Sequence, residues 1–204
     1  MAEPNKAKVE GLYRAGVEAI ATITSTFGAD EWANPACGDW SAADTARHLV
    51  AVANWYHDWL DRALAGRSDA PFGEAEFDSR NSAGVAGLQD IDGPEAVVLF
   101  STRANEYLDR ALTEWQLPFG YPAGTVTVGL HVGIAATEWH LHAWDLAGRT
   151  NQYSPADPAE LLIAAGLAVA KTKGGLGGRL LALGVPLAAK RSPWDTLLKE
   201  SGRR

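Results

Sequence analysis

The sequence has 204 residues, of which 47% are hydrophobic and 21% charged, a composition typical of a globular domain and not of a disordered chain. A formal net charge of −7 and the lack of a basic stripe argue against nucleic acid and anionic membranes as partners. The single cysteine, Cys37, excludes an intramolecular disulfide. The N-terminus is polar, so no signal peptide is predicted. No apolar run is long enough to predict a membrane span, and we therefore expect a cytoplasmic protein.

Two amphipathic helices are predicted in the first third of the chain. Apolar residues at helical spacing favour a helix over residues 7–27 that ends at Gly28. Ser41, three residues before Asp44, forms an N-terminal capping pattern. The second helix is therefore expected from about residue 42 to residue 65.

The middle of the chain predicts a long irregular segment and two further helices. Residues 66–93 are rich in Gly, Pro, Asp and Ser, with a short helix expected around 75–83. Asp92, followed by a glycine and Pro94, starts a third helix that continues to about Leu112. After a Pro- and Gly-rich loop, a fourth helix is expected over about 125–147.

The C-terminal part predicts only short helices. A weaker helix is expected over 158–173, followed by a glycine-rich run at 174–179 and a short helix at 192–200. The β-branched or apolar runs at 125–128 and 185–187 are too short to predict strands.

The predicted fold is all-α. We expect an antiparallel four-helix bundle with a short C-terminal helical extension. The bundle is assigned to residues 1–150 and the tail packed on it to 151–204, as one domain overall.

Four polar residues recur on one face of the fourth predicted helix: His131, Glu138, His142 and Asp145. Apolar neighbours flank this face, so we expect it to point into the bundle. A bound cation would satisfy buried carboxylates and imidazoles together. Glu138 and His142, one helical turn apart, are the predicted ligand pair, although an exposed helical ion pair would have the same spacing.

A third ligand is expected from a neighbouring helix, and His48 is the preferred candidate because it lies early in the second helix. Taken alone, His48 is better explained as a satisfied core or boundary histidine. His131 and Asp145 are expected behind the ligands, as hydrogen-bonding or core groups. His57 and His140 lie on other helix faces, so we expect them to face solvent or contact loops.

A centre with two histidines and one carboxylate leaves a coordination position open, which is typical of catalytic sites. Trp55 and Trp59 are candidates for the wall of the adjoining pocket, although tryptophans of this kind are equally often core residues. Cys37 has no base at a defined spacing and is expected to be a small packing residue. Three arginines are candidates for binding an anionic group or for plain surface charge: Arg47, Arg80 and Arg103.

Two segments resemble a known family. CGDWSAADTARHLV (37–50) and TEWHLHAWDLAG (137–148) are similar to motifs of DinB-like proteins, specifically the actinobacterial mycothiol-dependent maleylpyruvate isomerases. The resemblance implies a divalent metal, usually zinc, on His48, Glu138 and His142. It also implies mycothiol or a similar thiol as cofactor.

The function expected from this resemblance is thiol-dependent S-transfer or isomerisation of a small electrophile. The segment after Gly148 is shorter than the separate C-terminal domain of the characterised isomerases, which argues against maleylpyruvate as the substrate. Two alternatives remain: a non-catalytic bundle that binds metal or thiol, and a non-haem Fe(II) oxygenase with the same donor set. The expected partners are a small thiol and an electrophilic substrate, with a homodimer left open.

Overall fold

The structure is a computed structural model that describes residues 5–148, 153–172 and 192–203. Within these residues the helices are α1 (Lys6–Thr24), α2 (Ala29–Ala33), α3 (Ala42–Leu64), α4 (Phe77–Ala86), α5 (Gly93–Thr113), α6 (Val128–Leu146), α7 (Pro158–Thr172) and α8 (Pro193–Glu200). A single 3₁₀ turn, Glu74–Glu76, precedes α4. Two antiparallel hairpins complete the described elements: β1 (Pro35–Cys37) with β2 (Trp40–Ser41), and β3 (Pro118–Tyr121) with β4 (Gly124–Thr127).

The four long helices α1, α3, α5 and α6 form the predicted bundle. The closest packing joins α1 to α6 and α3 to α5. Each of the four begins at a side chain that accepts a hydrogen bond from a backbone N–H in the first turn. These capping residues are Asn5, Ser41, Asp92 and Thr127. The all-α prediction is confirmed.

Helix α6 lies at the centre of the bundle. Every one of its residues except Glu138 is buried, because α1, α3, α5 and α7 all pack against it. A Cβ added to Gly16 of α1 would stand 2.8 Å from Trp139 Cβ, so a glycine allows α1 and α6 to approach closely. The site residues of α6 are therefore carried by the most constrained element of the fold.

The structure corrects the predicted loops in two places. Residues 35–41 and 118–127 form hairpins where no strand was expected. Because 124–127 pairs with 118–121, α6 begins at Val128 and not near Thr125. Short strands of this kind carry too few residues for a period-two pattern to be recognised.

Helix boundaries differ by a few residues from the sequence expectation. The first helix ends at Thr24 and not at residue 27, and the separate short helix α2 follows, which the sequence analysis missed. The short helix expected at 75–83 is present as the 3₁₀ turn and α4.

The C-terminal elements pack on the bundle. Helix α7 lies against α6, and α8 lies against α7. Ser192 caps α8 by accepting a hydrogen bond from Asp195 N. The glycine-rich run 174–179 and the run 185–187 lie outside the described residues, and the division at residue 150 stays a prediction. Among the described helices, none combines the length and the apolar character required to cross a bilayer.

Candidate metal centre

The candidate centre lies where α3, α6 and the β1–β2 hairpin meet. The hairpin packs against both helices, and Ser41, its last residue, caps α3 through its hydroxyl, which accepts from Asp44 N at 3.1 Å. His48 therefore stands near the start of a helix whose N-terminus is fixed. The structure thus brings residues near position 40 next to the C-terminal half of α6.

His48 and His142 are neighbours, as predicted from the motifs. Their ring centroids are 5.0 Å apart with the rings edge to face, and the Trp40 ring packs on the other side of His48 at 4.8 Å. Both histidines are buried. Within the described part of the chain, His48 Nδ1 is buried without a hydrogen-bond partner, which is costly for a polar atom.

Glu138 faces His142 from one helical turn earlier. Its Oε2 atom lies 3.7 Å from His142 Nε2. The expectation that the whole stripe points into the core is wrong for Glu138, because its side chain is 41% exposed. A partly exposed carboxylate does not need a bound cation to offset the cost of burial. The polar face of α6 therefore reaches the surface at Glu138.

Asp145 holds the other side of the His142 ring. His142 Nδ1 lies 3.1 Å from Asp145 Oδ2, so an Nδ1–H group donates to the carboxylate and Nε2 is directed to Glu138. Arg203, near the end of the chain, donates to both oxygens of Asp145 at 2.8–3.1 Å. Asp145 thus connects His142 to Arg203, a partner that no sequence pattern indicates.

Cys37 also lies at this centre, contrary to the expectation that no base stands near it. Its sulfur, one nitrogen of His142 and one carboxylate oxygen of Asp145 all lie within 4.8 Å of one another. The thiol is partly exposed. The sequence analysis missed this group because residues 37 and 142 are close only in the folded chain.

The two histidines of the centre have opposite electrostatic surroundings. Burial, and then the positive charge of His142, lowers the pKa of His48 well below its usual range. Burial also lowers the pKa of His142, but interactions with Asp145 and Cys37 outweigh it and raise that pKa to about 9. The pKa of Asp145 is lowered because the hydrogen bonds from His142 and Arg203 outweigh the effect of burial.

His131 occupies a separate aromatic pocket two turns before Glu138. Its Nδ1 lies 2.7 Å from the Tyr107 hydroxyl, and its ring stacks on Phe119 at 4.2 Å. Burial lowers its pKa to about 3. These contacts make His131 a core histidine, which is one of the two roles expected for it.

Trp55 and Trp59 belong to an aromatic cluster beside this pocket. The two indoles stack at 6.1 Å, and Trp59 also meets Tyr121 at 6.0 Å. Burial first, and then the charge of Glu138, raises the pKa of Tyr121, so this ring lies within electrostatic reach of the candidate centre. The cluster joins Trp55 to Tyr121 through Trp59, and its role as a pocket wall stays a prediction.

The two remaining histidines are held by hydrogen bonds. His57 Nε2 lies 2.9 Å from Arg103 O, and the ring is partly exposed. His140 is buried, against the expectation of a solvent-facing ring. Its Nε2 donates to Leu12 O at 2.9 Å and its Nδ1 bonds to the Tyr153 hydroxyl in the segment after α6. Other helices pack around α6, so His140 is buried even though it lies on the opposite face of the helix from Glu138 and His142.

The three candidate arginines have carboxylate partners within the chain. Arg47 pairs with Asp44, Arg80 with Glu76 and Arg103 with Glu106, at 2.8–3.1 Å. The residues of each pair are three or four positions apart. The Arg80 and Arg103 pairs are exposed, whereas the Arg47 side chain is largely buried and also donates to Ile91 O.

The four long helices form an all-α, DinB-like bundle. The family model described as the mycothiol maleylpyruvate isomerase N-terminal domain matches residues 13–147, and the chain belongs to this family. No curated protein and no solved structure matches the chain.

Proposed function

We propose that the protein binds a divalent metal ion, most simply zinc, through His48, Glu138 and His142. The observation that carries this proposal is the pair of donor atoms His142 Nε2 and Glu138 Oε2 at 3.7 Å. Zinc bonds to nitrogen and oxygen are about 2.0–2.2 Å long, so one ion can bridge two atoms at this separation. The buried His48 Nδ1, which lacks a partner among the described residues, supports a third donor.

The chain's own residues would orient this centre. Asp145 fixes His142 with Nε2 towards Glu138, and Arg203 fixes Asp145 in turn. Trp40 packs on His48 and limits rotation of its ring. A bound divalent ion supplies Lewis acidity that lowers the pKa of a coordinated thiol or water.

The proposed activity is S-transfer or isomerisation of a small electrophile with a low-molecular-weight thiol. The family name supports mycothiol as the thiol. A cavity of about 490 Å³ lies beside Asp145 and is lined also by Ala36 and Tyr153. It meets the centre only through Asp145, since none of the three proposed ligands lines it. Glu138, the exposed member of the centre, lies on the side open to solvent.

Metal analysis of protein purified without chelators tests the proposal. We expect close to one equivalent of metal in the wild type, and at least a tenfold lower content in His48→Ala, Glu138→Ala and His142→Ala. His57→Ala is the matched control, because His57 also lies on α3 but bonds to Arg103 O. A wild type without metal, or three variants that retain it, would contradict the proposal.

Turnover of a model electrophile with mycothiol, and with glutathione for comparison, tests the activity. We expect metal-dependent product formation that is lost in His142→Ala. Tight thiol binding without any turnover would instead favour a non-catalytic bundle. Iron in the purified protein, with oxygen consumption, would favour the oxygenase alternative.

A further inference from the structure

Residues 192–203, which we call the C-terminal strap, reach the candidate centre through the Arg203 side chain. The strap consists of α8 and the turn that ends it. In this turn Gly202 has a φ of 76°, and Arg203 N donates to Leu198 O at 2.8 Å. A left-handed glycine with a hydrogen bond of this span is a common way to end a helix. Arg203 follows directly and contacts Asp145 on α6.

Apolar contacts dock the strap independently of Arg203. Trp194, Leu197 and Leu198 are buried in the main hydrophobic core, and α8 packs on α7. The Trp194 ring also meets that of Tyr153 at 6.3 Å. Because these contacts hold α8 in place, we expect the strap to stay docked when the Arg203 side chain is removed, and the ion pair to serve Asp145.

Arg203 occupies both carboxylate oxygens of Asp145. Its Nε atom lies 3.1 Å from each oxygen and one terminal nitrogen lies 2.8 Å from Oδ2, while the Asp145 side chain is only 1% exposed. Without the guanidinium, this buried carboxylate would keep only the hydrogen bond from His142 Nδ1. A buried carboxylate with so few partners is costly, so it would turn towards water. Arg203 therefore keeps Asp145 facing the His142 ring.

The charge of Arg203 has an effect of the opposite sign. A guanidinium close to a cation site repels the cation. Asp145 offsets this charge, because the two buried groups form an ion pair without net charge. Replacing a group that orients a metal-bound histidine typically lowers metal affinity about tenfold to a hundredfold. We therefore expect the orienting effect of Arg203 to exceed the repulsion.

We propose that the C-terminal strap controls the metal affinity of the centre through Arg203, which positions His142 by way of Asp145. This inference rests on the proposed function, because it requires His142 to bind a metal ion. Two coupled equilibria influence each other equally, so metal binding in turn tightens the docking of the strap. Undocking of the strap is then a route to release of the metal.

Zinc affinity, measured by competition with a chromophoric chelator, tests the role of Arg203. We expect Arg203→Ala and Arg203→Lys each to bind zinc about tenfold more weakly than the wild type. Lysine keeps the charge but cannot hold both carboxylate oxygens with a planar guanidinium. If repulsion dominated instead, Arg203→Ala would bind zinc more tightly and Arg203→Lys would resemble the wild type. Either that pattern or unchanged affinity in Arg203→Ala would overturn the proposal.

Lys199→Ala is the matched control, since Lys199 is an exposed residue of the same helix. Its zinc affinity should equal that of the wild type. Equal weakening in Lys199→Ala and Arg203→Ala would assign the effect to α8 as a whole and would contradict the role of the guanidinium.

Chemical rescue separates positioning from damage to the fold. Millimolar guanidinium chloride should restore zinc affinity in Arg203→Ala towards the wild-type value, whereas the same concentration of sodium chloride should not. A variant with wild-type circular dichroism and weak zinc binding that guanidinium does not restore would count against the proposal.

Amide hydrogen exchange on the wild-type protein measures the reverse coupling without any substitution. We expect the α8 amides to exchange about tenfold more slowly with saturating zinc than without it, as reciprocity with the zinc affinities requires. Helix α4, which packs on α3, is the internal reference and should change little. The same exchange rates in α8 with and without zinc would exclude coupling between the strap and the centre.

The strap and the metal centre can fail separately. If zinc binds and depends on His48, Glu138 and His142 but not on Arg203, the strap has no control over affinity and the three-ligand centre stands. If no metal binds to the wild type, both proposals are wrong.

Discussion

At the scale of single residues, the candidate centre depends on a chain of contacts behind its ligands. Arg203 fixes Asp145, and Asp145 fixes His142. Asp145 is fully buried, and the Arg203 side chain is 15% exposed. Little solvent therefore screens the Asp145–Arg203 ion pair. Its loss affects both the stability of the fold and the orientation of the His142 ring.

Replacing Asp145 by asparagine leaves the Arg203 guanidinium without its counter-charge. We expect Asp145→Asn to lower the free energy of unfolding by about 2 kcal/mol, since a largely buried charge loses its partner. Urea denaturation at neutral pH measures the change.

Asp157→Asn is the matched control. Asp157 pairs with Lys8 at 3.7 Å, and the two side chains are 43% and 57% exposed, so we expect a change of about 0.5 kcal/mol or less. Equal losses in the two variants would show that the Asp145–Arg203 pair has no special role.

At the scale of elements, the β1–β2 hairpin determines which residues reach the centre. Its tight turn uses Gly38 in the left-handed region, with a φ of 58°. A side chain at Gly38 would meet no atom within 4 Å, so backbone conformation alone makes glycine favourable there.

Substituting this glycine tests the turn. We expect Gly38→Ala to destabilise the protein by about 1 kcal/mol because a Cβ disfavours the left-handed conformation. Gly11→Ala is the matched control: Gly11 lies within α1, and its Cβ would also meet nothing within 4 Å. The control should stabilise the protein by up to about 1 kcal/mol, through the higher helix propensity of alanine. Thermal unfolding of both variants measures the difference, and the same sign in both would refute the conformational argument.

The long elements could be predicted from sequence because their signals are local. Ser41 and Asp92 cap their helices as expected, and the apolar spacing of α1, α3 and α5 follows the helical period. The hairpins could not be predicted, since two to four residues per strand carry no usable period. The fourth helix misled in another way: it is buried on nearly every face, so its polar stripe did not indicate which face points into the core.

At the scale of the whole molecule, the burial of α6 makes stability depend on pH. Burial lowers the pKa of His131 to about 3 and that of His140 to about 4, whereas an unfolded histidine titrates near 6.5. Below pH 6.5 the unfolded chain therefore binds protons that the folded chain does not. The contribution of the two buried, neutral histidines to stability is complete above pH 6.5. It is lost as the pH falls from 6.5 towards their folded-state pKa values of about 4 and about 3.

The His131 contribution can be isolated by substitution. We expect wild-type stability to fall between about pH 6 and pH 5, with up to about 1.4 kcal/mol per pH unit from each of His131 and His140. His131→Gln retains an acceptor for the Tyr107 hydroxyl and does not titrate. The variant should be less stable than the wild type at neutral pH because glutamine packs less well against Phe119. Between pH 6 and pH 5, however, it should lose less stability than the wild type does. Urea denaturation across this pH range measures both slopes, and identical slopes would exclude His131 as a source of acid sensitivity.

The sequence by itself determined the helical class, the caps Ser41 and Asp92, and the one-turn spacing of Glu138 and His142 on one helix. These features depend on neighbours three or four positions apart, whose geometry the helix imposes. Only the tertiary structure decided that Glu138 is exposed, that His140 is buried, and that Cys37 and Arg203 join the centre. Residues 37, 142 and 203 are distant in the chain, and their proximity follows from how the hairpin and the C-terminal segment pack on α6, which no local pattern encodes.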